Sequence, residues 1–311
     1  MRSRVLVSAL LAALACLLPL VAPASGAELR FSRVEGSGGV PLNVVEAGER
    51  GKPAILLVHG IGQSYLSFEP QLRSALADEF HLVAFDLRGH GSSGKPWQRE
   101  AYVDSTAWAG DVQRVIAATG LQRPVLLGWS YGTLVVTDYL RHAGTKGVAG
   151  VVLTGAYGGL TPPPASNPQA AEAMRRSREA AASADIEQRL AATRRTAGML
   201  TAKTMPQEWV ERAAVIGMMV PGDARVHMFD RRFDNRDLIP GIDVPLRLVA
   251  AGKDLSTPEA DARALATGLP LASVSVYPEA GHSPFTEDPE RFNRELAEFA
   301  RAAFARPAPA R

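Results

Sequence analysis

The amino-acid sequence predicts an α/β protein whose parallel β-sheet is covered by helices on both faces. The first observation is composition: the 311 residues, 46% hydrophobic and 21% charged, can bury a large core without a disulfide or a metal. The second is that short apolar runs alternate along the chain with longer segments that have a polar face. This alternation is typical of strand–helix–strand units, which build parallel sheets with buried strands.

The apolar runs give the strands in order. A hairpin comes first, because runs at 29–34 and 40–46 flank a glycine-rich turn at 36–39. Buried strands are then predicted at 54–58, 82–85, 125–127, 148–153, 245–251 and 274–277. Helices are predicted at 65–78, 105–119, 131–142, 258–267 and 289–305.

The segment 161–240 interrupts this alternation. It begins with three consecutive prolines after Thr161 and continues with residues typical of helices and no strand pattern. We therefore predict a helical subdomain inserted between core pieces at 28–160 and 241–305. The arginines of 172–195 alternate with acidic residues, which favours a solvated helix face over a ligand site. The last residues, 306–311, are predicted to be disordered.

The N-terminal segment has the pattern of a secretory signal peptide. Two arginines precede an apolar run at 5–21, and small residues at 25–27 suit a cleavage site. A signal peptide at 1–27 predicts an exported protein, periplasmic or secreted, with no stable membrane association after cleavage. Two alternatives stay open, which are a retained membrane anchor and a lipid-modified Cys16.

The charge balance gives no indication of nucleic-acid binding. Two of the 34 basic residues and the only cysteine lie within 1–27, so the processed chain would carry 32 basic and 32 acidic residues. It would be formally neutral, with no basic block and no disulfide.

Ser130 is the candidate nucleophile. It is the centre of Gly128-Trp129-Ser130-Tyr131-Gly132, a G-x-S-x-G motif between a predicted strand and a predicted helix. Such a sharp turn needs small residues on both sides of the serine. The start of the following helix favours negative charge beside the hydroxyl.

Asp254 and His282 are the candidate acid and base. A serine hydroxyl needs a base to take its proton and an acid to orient that base. Asp254 follows the predicted strand 245–251, and His282 follows the last predicted strand. Parallel strands end at the same edge of a sheet, so we expect both side chains near Ser130.

The backbone N–H groups of Ile61 and Tyr131 are the candidate oxyanion-hole donors. Ile61 lies between Gly60 and Gly62, directly after the strand 54–58, and glycines allow the backbone to turn an N–H towards the site. The neighbouring His59 is predicted to be structural, bonded to the backbone of this loop.

Several motifs make the chain similar to the α/β-hydrolase fold family, serine hydrolase branch. They are H-G-I-G at 59–62, D-L-R-G-H-G-S-S at 86–93, G-W-S-Y-G at 128–132, G-K-D at 252–254 and G-H-S-P-F at 281–285. The resemblance covers residues 29–305, and it matches the insert 161–240 only as a lid, in position and composition.

The resemblance implies an eight-stranded sheet with one antiparallel strand and a helical lid after the sixth strand. It assigns the nucleophile, acid and base to Ser130, Asp254 and His282, and it makes Asp86 and Arg88 structural turn residues. It implies that no cofactor and no metal are needed. Serine at position 130 argues against the family's haloalkane dehalogenases and epoxide hydrolases, which use aspartate.

The expected activity is hydrolysis of a small or medium acyl substrate, a carboxylic ester or lactone, through an acyl-enzyme. C–C bond hydrolysis, cofactor-free perhydrolysis and aminopeptidase activity stay open, since they would use the same residues; a non-catalytic binding module is disfavoured because all three groups are present. Apolar lid residues are expected either to line the substrate pocket or to form the lid's own core; they are Met199, Met205, Trp209, Met218 and Met219.

Overall fold

A computed structural model describes residues 27–162, 168–254 and 256–307. It contains an eight-stranded sheet in the order β1-β2-β4-β3-β5-β6-β7-β8. The strands are β1 Arg30–Glu35, β2 Pro41–Ala47, β3 Ala54–Val58, β4 His81–Phe85, β5 Val125–Trp129, β6 Gly150–Thr154, β7 Leu246–Ala251 and β8 Ala272–Tyr277. Strand β2 is antiparallel to both of its neighbours, and the other pairs are parallel.

The helices follow the strands along the chain. They are α1 Glu69–Leu72, α2 Leu76–Glu79, α3 Glu100–Val103, α4 Ser105–Thr119, α5 Tyr131–Ala143, α6 Pro168–Ala182, α7 Ile186–Gly198, α8 Gln207–Met218, α9 Gly222–His227, α10 Glu259–Thr267, α11 Pro284–Glu287 and α12 Pro289–Phe304. Single 3₁₀ turns lie at Ser37–Gly39, Tyr65–Phe68 and Arg236–Gly241.

The predicted fold class is confirmed, and the strands agree with prediction to within a few residues. One helix differs, because the predicted helix 65–78 is a 3₁₀ turn followed by the short helices α1 and α2. The Ser74 side chain explains the interruption. Its hydroxyl donates to the carbonyl of Gln71 and accepts from the N–H of Leu76, so it replaces helical backbone bonds.

Two apolar layers lie on opposite faces of the sheet. Alternate residues of a strand point to opposite faces, so Leu56 and Val58 join one layer, whereas Ile55 and Leu57 join the other. Helices α4, α5 and α10 cover the first layer, and α2 and α12 cover the second. Burial on both faces is the reason that the strand sequences are almost continuously apolar.

The helices between β6 and β7 are joined by loops, and helix is the main regular structure that is described there. Helices α6 to α9 lie there, and no strand falls within 155–162 or 168–245. This segment shares the core of the sheet, because Ala213 and Ala214 of α8 belong to one apolar layer and Ala224 of α9 to the other. The division into a core and a lid stays a prediction.

The predicted N-terminal and C-terminal features lie mainly outside the described residues. The structure does not describe residues 1–26, which include Cys16 and nearly all of the predicted signal peptide. It also does not describe residues 308–311 of the predicted disordered tail. No helix in the described ranges has the length and apolarity that a membrane crossing requires.

Candidate active site

Ser130 occupies a strained turn between β5 and α5. Its backbone angles are φ 53° and ψ −121°, in a region that side chains other than glycine rarely adopt. The N–H of Ser130 donates to the carbonyl of Thr154 at 2.9 Å, and its own carbonyl accepts from the Thr133 N–H and hydroxyl. Such strain costs about 1–3 kcal/mol and is typical of functional sites.

The glycines of the motif are required by close backbone packing. A Cβ on Gly132 would lie 2.1 Å from the carbonyl oxygen of Val58, and one on Gly128 would lie 2.8 Å from that of Gly132. Strand β5 and helix α5 therefore pack as tightly as the sharp turn demands. This close approach of the backbone is the steric reason that small residues flank the serine, as the sequence predicts.

His282 is held by Asp254 and by the chain at Trp129. Its Nδ1 lies 2.9 Å from Asp254 Oδ2, and its carbonyl accepts a bond of 2.8 Å from the Trp129 indole. Asp254 also accepts bonds from the hydroxyls of Ser256 and Thr257. Burial alone would raise the pKa of Asp254, but the bonds from His282 and Ser256 outweigh it and lower the pKa to about 2. The carboxylate is thus ionised at neutral pH, and it suits an imidazole that carries its proton on Nδ1.

Ser130 and His282 line the same cavity, whose volume is about 580 Å³. In the part of the chain that the structure describes, no hydrogen bond joins the Ser130 hydroxyl to the imidazole. Proton transfer between them therefore requires the two side chains to approach each other, and catalytic bonds are often long before substrate binds. The structure brings Ser130, Asp254 and His282 to one edge of the sheet, as predicted from the strand ends.

Ile61 and Tyr131 line the cavity beside Ser130. Tyr131 is the first residue of α5, so its N–H has no partner within the helix. Gly60, directly before Ile61, is so close to the serine that a Cβ there would lie 2.9 Å from Ser130 Cβ. Both backbone segments are therefore near the Ser130 side chain, as an oxyanion hole requires.

His59 is bonded entirely to backbone. Its Nδ1 lies 2.8 Å from the carbonyl of Gly60, and its Nε2 accepts a 3.0 Å bond from the N–H of Leu87. Burial lowers the pKa of His59, so the imidazole is neutral and fastens the loop after β3 to the loop after β4. This agrees with the structural role predicted for it.

Asp86 and Arg88 also hold loops, as the family resemblance implied. Asp86 accepts bonds from the N–H groups of Tyr65 and Ser92. Arg88 is buried and forms a bidentate ion pair with Asp111, with two distances of 2.7 Å.

The apolar wall of the cavity differs from expectation. Among the described residues, none of the five predicted apolar lid residues lines the cavity, and Met199 and Met219 are exposed. Trp209 instead borders a much smaller cavity, next to Leu66 and Phe285. The wall is formed by Leu134, Tyr157, Phe229 and Phe233. The spacing of these residues along the sequence does not predict that they share a cavity. Their meeting depends on how distant segments of the chain pack together.

Two arginines near the site were not singled out from the sequence. Arg178 of α6 lines the cavity, although the arginines of 172–195 were predicted to form a solvated face. Arg175, Arg176 and Arg194 form exposed ion pairs, and Arg178 is exposed as well, so the solvated face is consistent with all four. What the sequence did not indicate is that Arg178 also borders the cavity.

The second is Arg225, whose buried guanidinium donates to the carbonyl of Gly217 and packs against Gly62, next to Ile61. Burial, with the nearby charge of Arg189, lowers its pKa to about 10. Neither arginine has a sequence context that would distinguish it from other surface cations. Within the described residues, no three His, Cys, Asp or Glu side chains lie together as metal ligands would.

The comparisons with known proteins show the family and the fold of the chain. A model of the alpha/beta hydrolase family matches residues 55–295. A solved putative aryl esterase from Burkholderia cenocepacia superposes with a TM-score of 0.80 at 28% identity, covering 89% of this chain and 100% of that one. The esterase RhEst1 from Rhodococcus sp. ECU1013 gives 0.75 at 29% identity, covering 88% and 99%.

A curated relative is similar only locally. Epoxide hydrolase 4 from Mus musculus is 36% identical over 105 residues, which are 34% of this chain and 28% of the relative. The chain therefore spans less than a third of the length of that relative. The similarities indicate a hydrolase of the esterase or epoxide hydrolase type on this fold.

Proposed function

The chain belongs to the alpha/beta hydrolase family, and on that premise we propose that it is a serine hydrolase that cleaves a carboxylic ester or lactone through an acyl-enzyme. The observation that carries the proposal is the strained Ser130, which shares a cavity with a histidine bonded to a buried carboxylate. A serine in this conformation can present its hydroxyl to a substrate at the start of α5.

In the first half-reaction, Ser130 Oγ attacks the acyl carbon while His282 Nε2 accepts the hydroxyl proton. Nε2 is the free ring nitrogen because Nδ1 is bonded to Asp254. The negative oxygen of the tetrahedral intermediate accepts bonds from the N–H groups of Ile61 and Tyr131. The imidazolium then protonates the leaving alcohol, the carbon–oxygen bond breaks, and the acyl-enzyme is formed.

In the second half-reaction, a water molecule gives its proton to His282 and attacks the acyl carbon. The same two N–H groups stabilise the second intermediate. The proton returns to Ser130 Oγ as the ester bond to the enzyme breaks, and the carboxylic acid leaves. Asp254 stays ionised throughout and stabilises the imidazolium.

Ester hydrolysis is favoured over epoxide hydrolysis because a serine occupies the centre of the turn. Aminopeptidase activity would need an acidic group of the insert facing the cavity to bind a free amine. Asp234 of the insert does line the cavity, but its carboxylate is bonded to the Arg236 guanidinium. Glu172 and Glu211 do not line it, and they form ion pairs with Arg175 and Arg194. C–C bond hydrolysis and perhydrolysis would use the same residues as ester hydrolysis, so substrates must separate them.

A fluorophosphonate label and aryl ester turnover test the proposal. We expect the wild-type protein to be labelled on Ser130 and to hydrolyse activated short-chain aryl esters, and we expect Ser130→Ala to lose both properties. Assays with dienoates and with acetate plus peroxide identify the two alternative chemistries. Wild-type turnover in Ser130→Ala would refute the proposal.

Export is a second part of the proposed function, supported by the N-terminal sequence pattern alone. Sequencing of the protein recovered from the periplasm or the medium should give Glu28 as the first residue. Recovery with the membrane fraction would support a retained anchor, or a lipid on Cys16 if that residue is acylated.

A further inference from the structure

We propose that the substrate carries a carboxylate and that Arg178 binds it in the cavity of Ser130. The inference rests on the proposed function, because it names the chemical class of substrate for the same site. It begins from the position of Arg178, which lines the cavity together with Ser130 and His282.

Arg178 differs from its neighbours on α6 in having no carboxylate partner. Arg175 forms ion pairs with Glu172 and Glu179, and Arg176 also pairs with Glu172. Every Asp and Glu of the chain lies in the ranges 27–162, 168–254 and 256–307 that the structure describes. None of them forms an ion pair with Arg178, so no carboxylate of the protein is bound directly to its guanidinium.

The guanidinium of Arg178 is also held in place. It lies 3.9 Å from the centre of the Phe229 ring, and Phe229 lines the same cavity. A cation over an aromatic face is stabilised without using its N–H donors, which point around the edge of the planar group. Those donors suit a bidentate bond to a carboxylate.

The acidic residues of the cavity are less available for binding an amine. Asp234 accepts three bonds from Arg236, two of them from the guanidinium, at 2.9 and 2.6 Å. Asp261 lies in the first turn of α10, where the helix stabilises negative charge. Arg178 lies one residue before the last turn of α6, with its guanidinium against the Phe229 ring, and it forms no ion pair within the described residues. Arg178 is therefore a cation of the cavity lining without an ion-pair partner, and an anionic substrate group is its complement.

The size of the cavity sets the scale of the substrate. About 580 Å³ accommodates a medium-sized acyl chain with a polar end. Its remaining walls include Leu134, Tyr157 and Phe233, which suit the apolar middle of such a molecule. We therefore expect a monoester of a dicarboxylic acid, or an ester whose alcohol part carries a carboxylate.

Matched esters test the proposal and distinguish the two sources of the carboxylate. The first pair is 4-nitrophenyl hydrogen suberate against 4-nitrophenyl octanoate, and the second is 4-acetoxybenzoate against phenyl acetate. We expect kcat/KM of the wild type to favour the charged ester of at least one pair. In Arg178→Gln that preference should fall about tenfold or more, mainly through KM, as a lost charged hydrogen bond predicts.

Two further variants make the result specific. Arg178→Lys should restore part of the preference, because it keeps the charge but not the bidentate geometry. Arg176→Gln, on the same helix and fully paired, should leave the preference unchanged. The proposal would be overturned if the ratio of kcat/KM for the charged ester to kcat/KM for the neutral ester were the same in the wild type and Arg178→Gln. It would also be overturned if the wild type preferred amine-bearing esters and Asp261→Asn lost that preference.

A binding measurement keeps the inference separate from the proposed function. Octanoate should bind the wild type more tightly than the neutral octanamide by calorimetry, and this difference should disappear in Arg178→Gln. Hydrolysis of neutral esters with no charge dependence would refute the role of Arg178 and leave the serine hydrolase intact. Charge-dependent binding without any ester turnover would refute the serine hydrolase and support the anion site.

Discussion

The indole Nε1 of Trp129 donates a hydrogen bond of 2.8 Å to the main-chain carbonyl of His282. Trp129 is the residue directly before Ser130, so this bond joins the loop of the candidate base to the turn of the candidate nucleophile. The two rings also lie 5.7 Å apart, and Phe285 packs edge-on against the indole at 5.1 Å. A contact outside the cavity of Ser130 therefore ties the loop of His282 to the turn of Ser130.

The substitution Trp129→Phe tests this connection. It keeps an aromatic ring but leaves the His282 carbonyl without its donor, so we expect ester kcat to fall about tenfold and the free energy of unfolding to fall by about 1–3 kcal/mol. Steady-state kinetics and urea denaturation measure the two effects. Trp97→Phe is the control, since Trp97 is 78% exposed. Unchanged kcat in Trp129→Phe would show that the bond does not position the base.

The substitution Asp254→Asn tests the carboxylate beneath His282. The amide can no longer stabilise an imidazolium, and it favours the wrong ring tautomer. We expect kcat to fall by roughly 10³–10⁴-fold with a small change in KM. Asp261→Asn, in the same cavity but without a bond to His282, should retain ester turnover. Comparable losses in both variants would contradict a specific role for Asp254.

The substitution Gly132→Ala tests the steric reason for the glycine motif. The new Cβ would lie 2.1 Å from the Val58 carbonyl, so β3 and α5 must separate. We expect a loss of about 3 kcal/mol or more in the free energy of unfolding, measured in urea. Gly198→Ala is a matched control on α7, because a Cβ there meets nothing within 4 Å. It should be neutral or stabilising, and equal stability of the two variants would refute the argument.

The sequence predicted those parts of the site that depend on local pattern. Ser130 was identified by the glycines around it, and Asp254 and His282 by their positions after apolar strands whose parallel order brings their ends together. The contacts that it did not predict depend on how distant segments pack. Arg178 borders the cavity only because α6 packs against α7 and α9, and the Trp129–His282 bond joins residues that no spacing rule connects.

The depressed pKa of Asp254 predicts a specific dependence of stability on acid. Its folded value of about 2 lies below the unfolded value of about 3.9. The carboxylate therefore contributes its full stabilisation, about 2–3 kcal/mol, above roughly pH 5 and loses it as the pH falls towards 2. Urea unfolding of the wild type and Asp254→Asn between pH 6 and pH 2 measures this contribution. The difference in unfolding free energy between them should shrink as the pH falls through this range, and a constant difference would show that the carboxyl titrates normally.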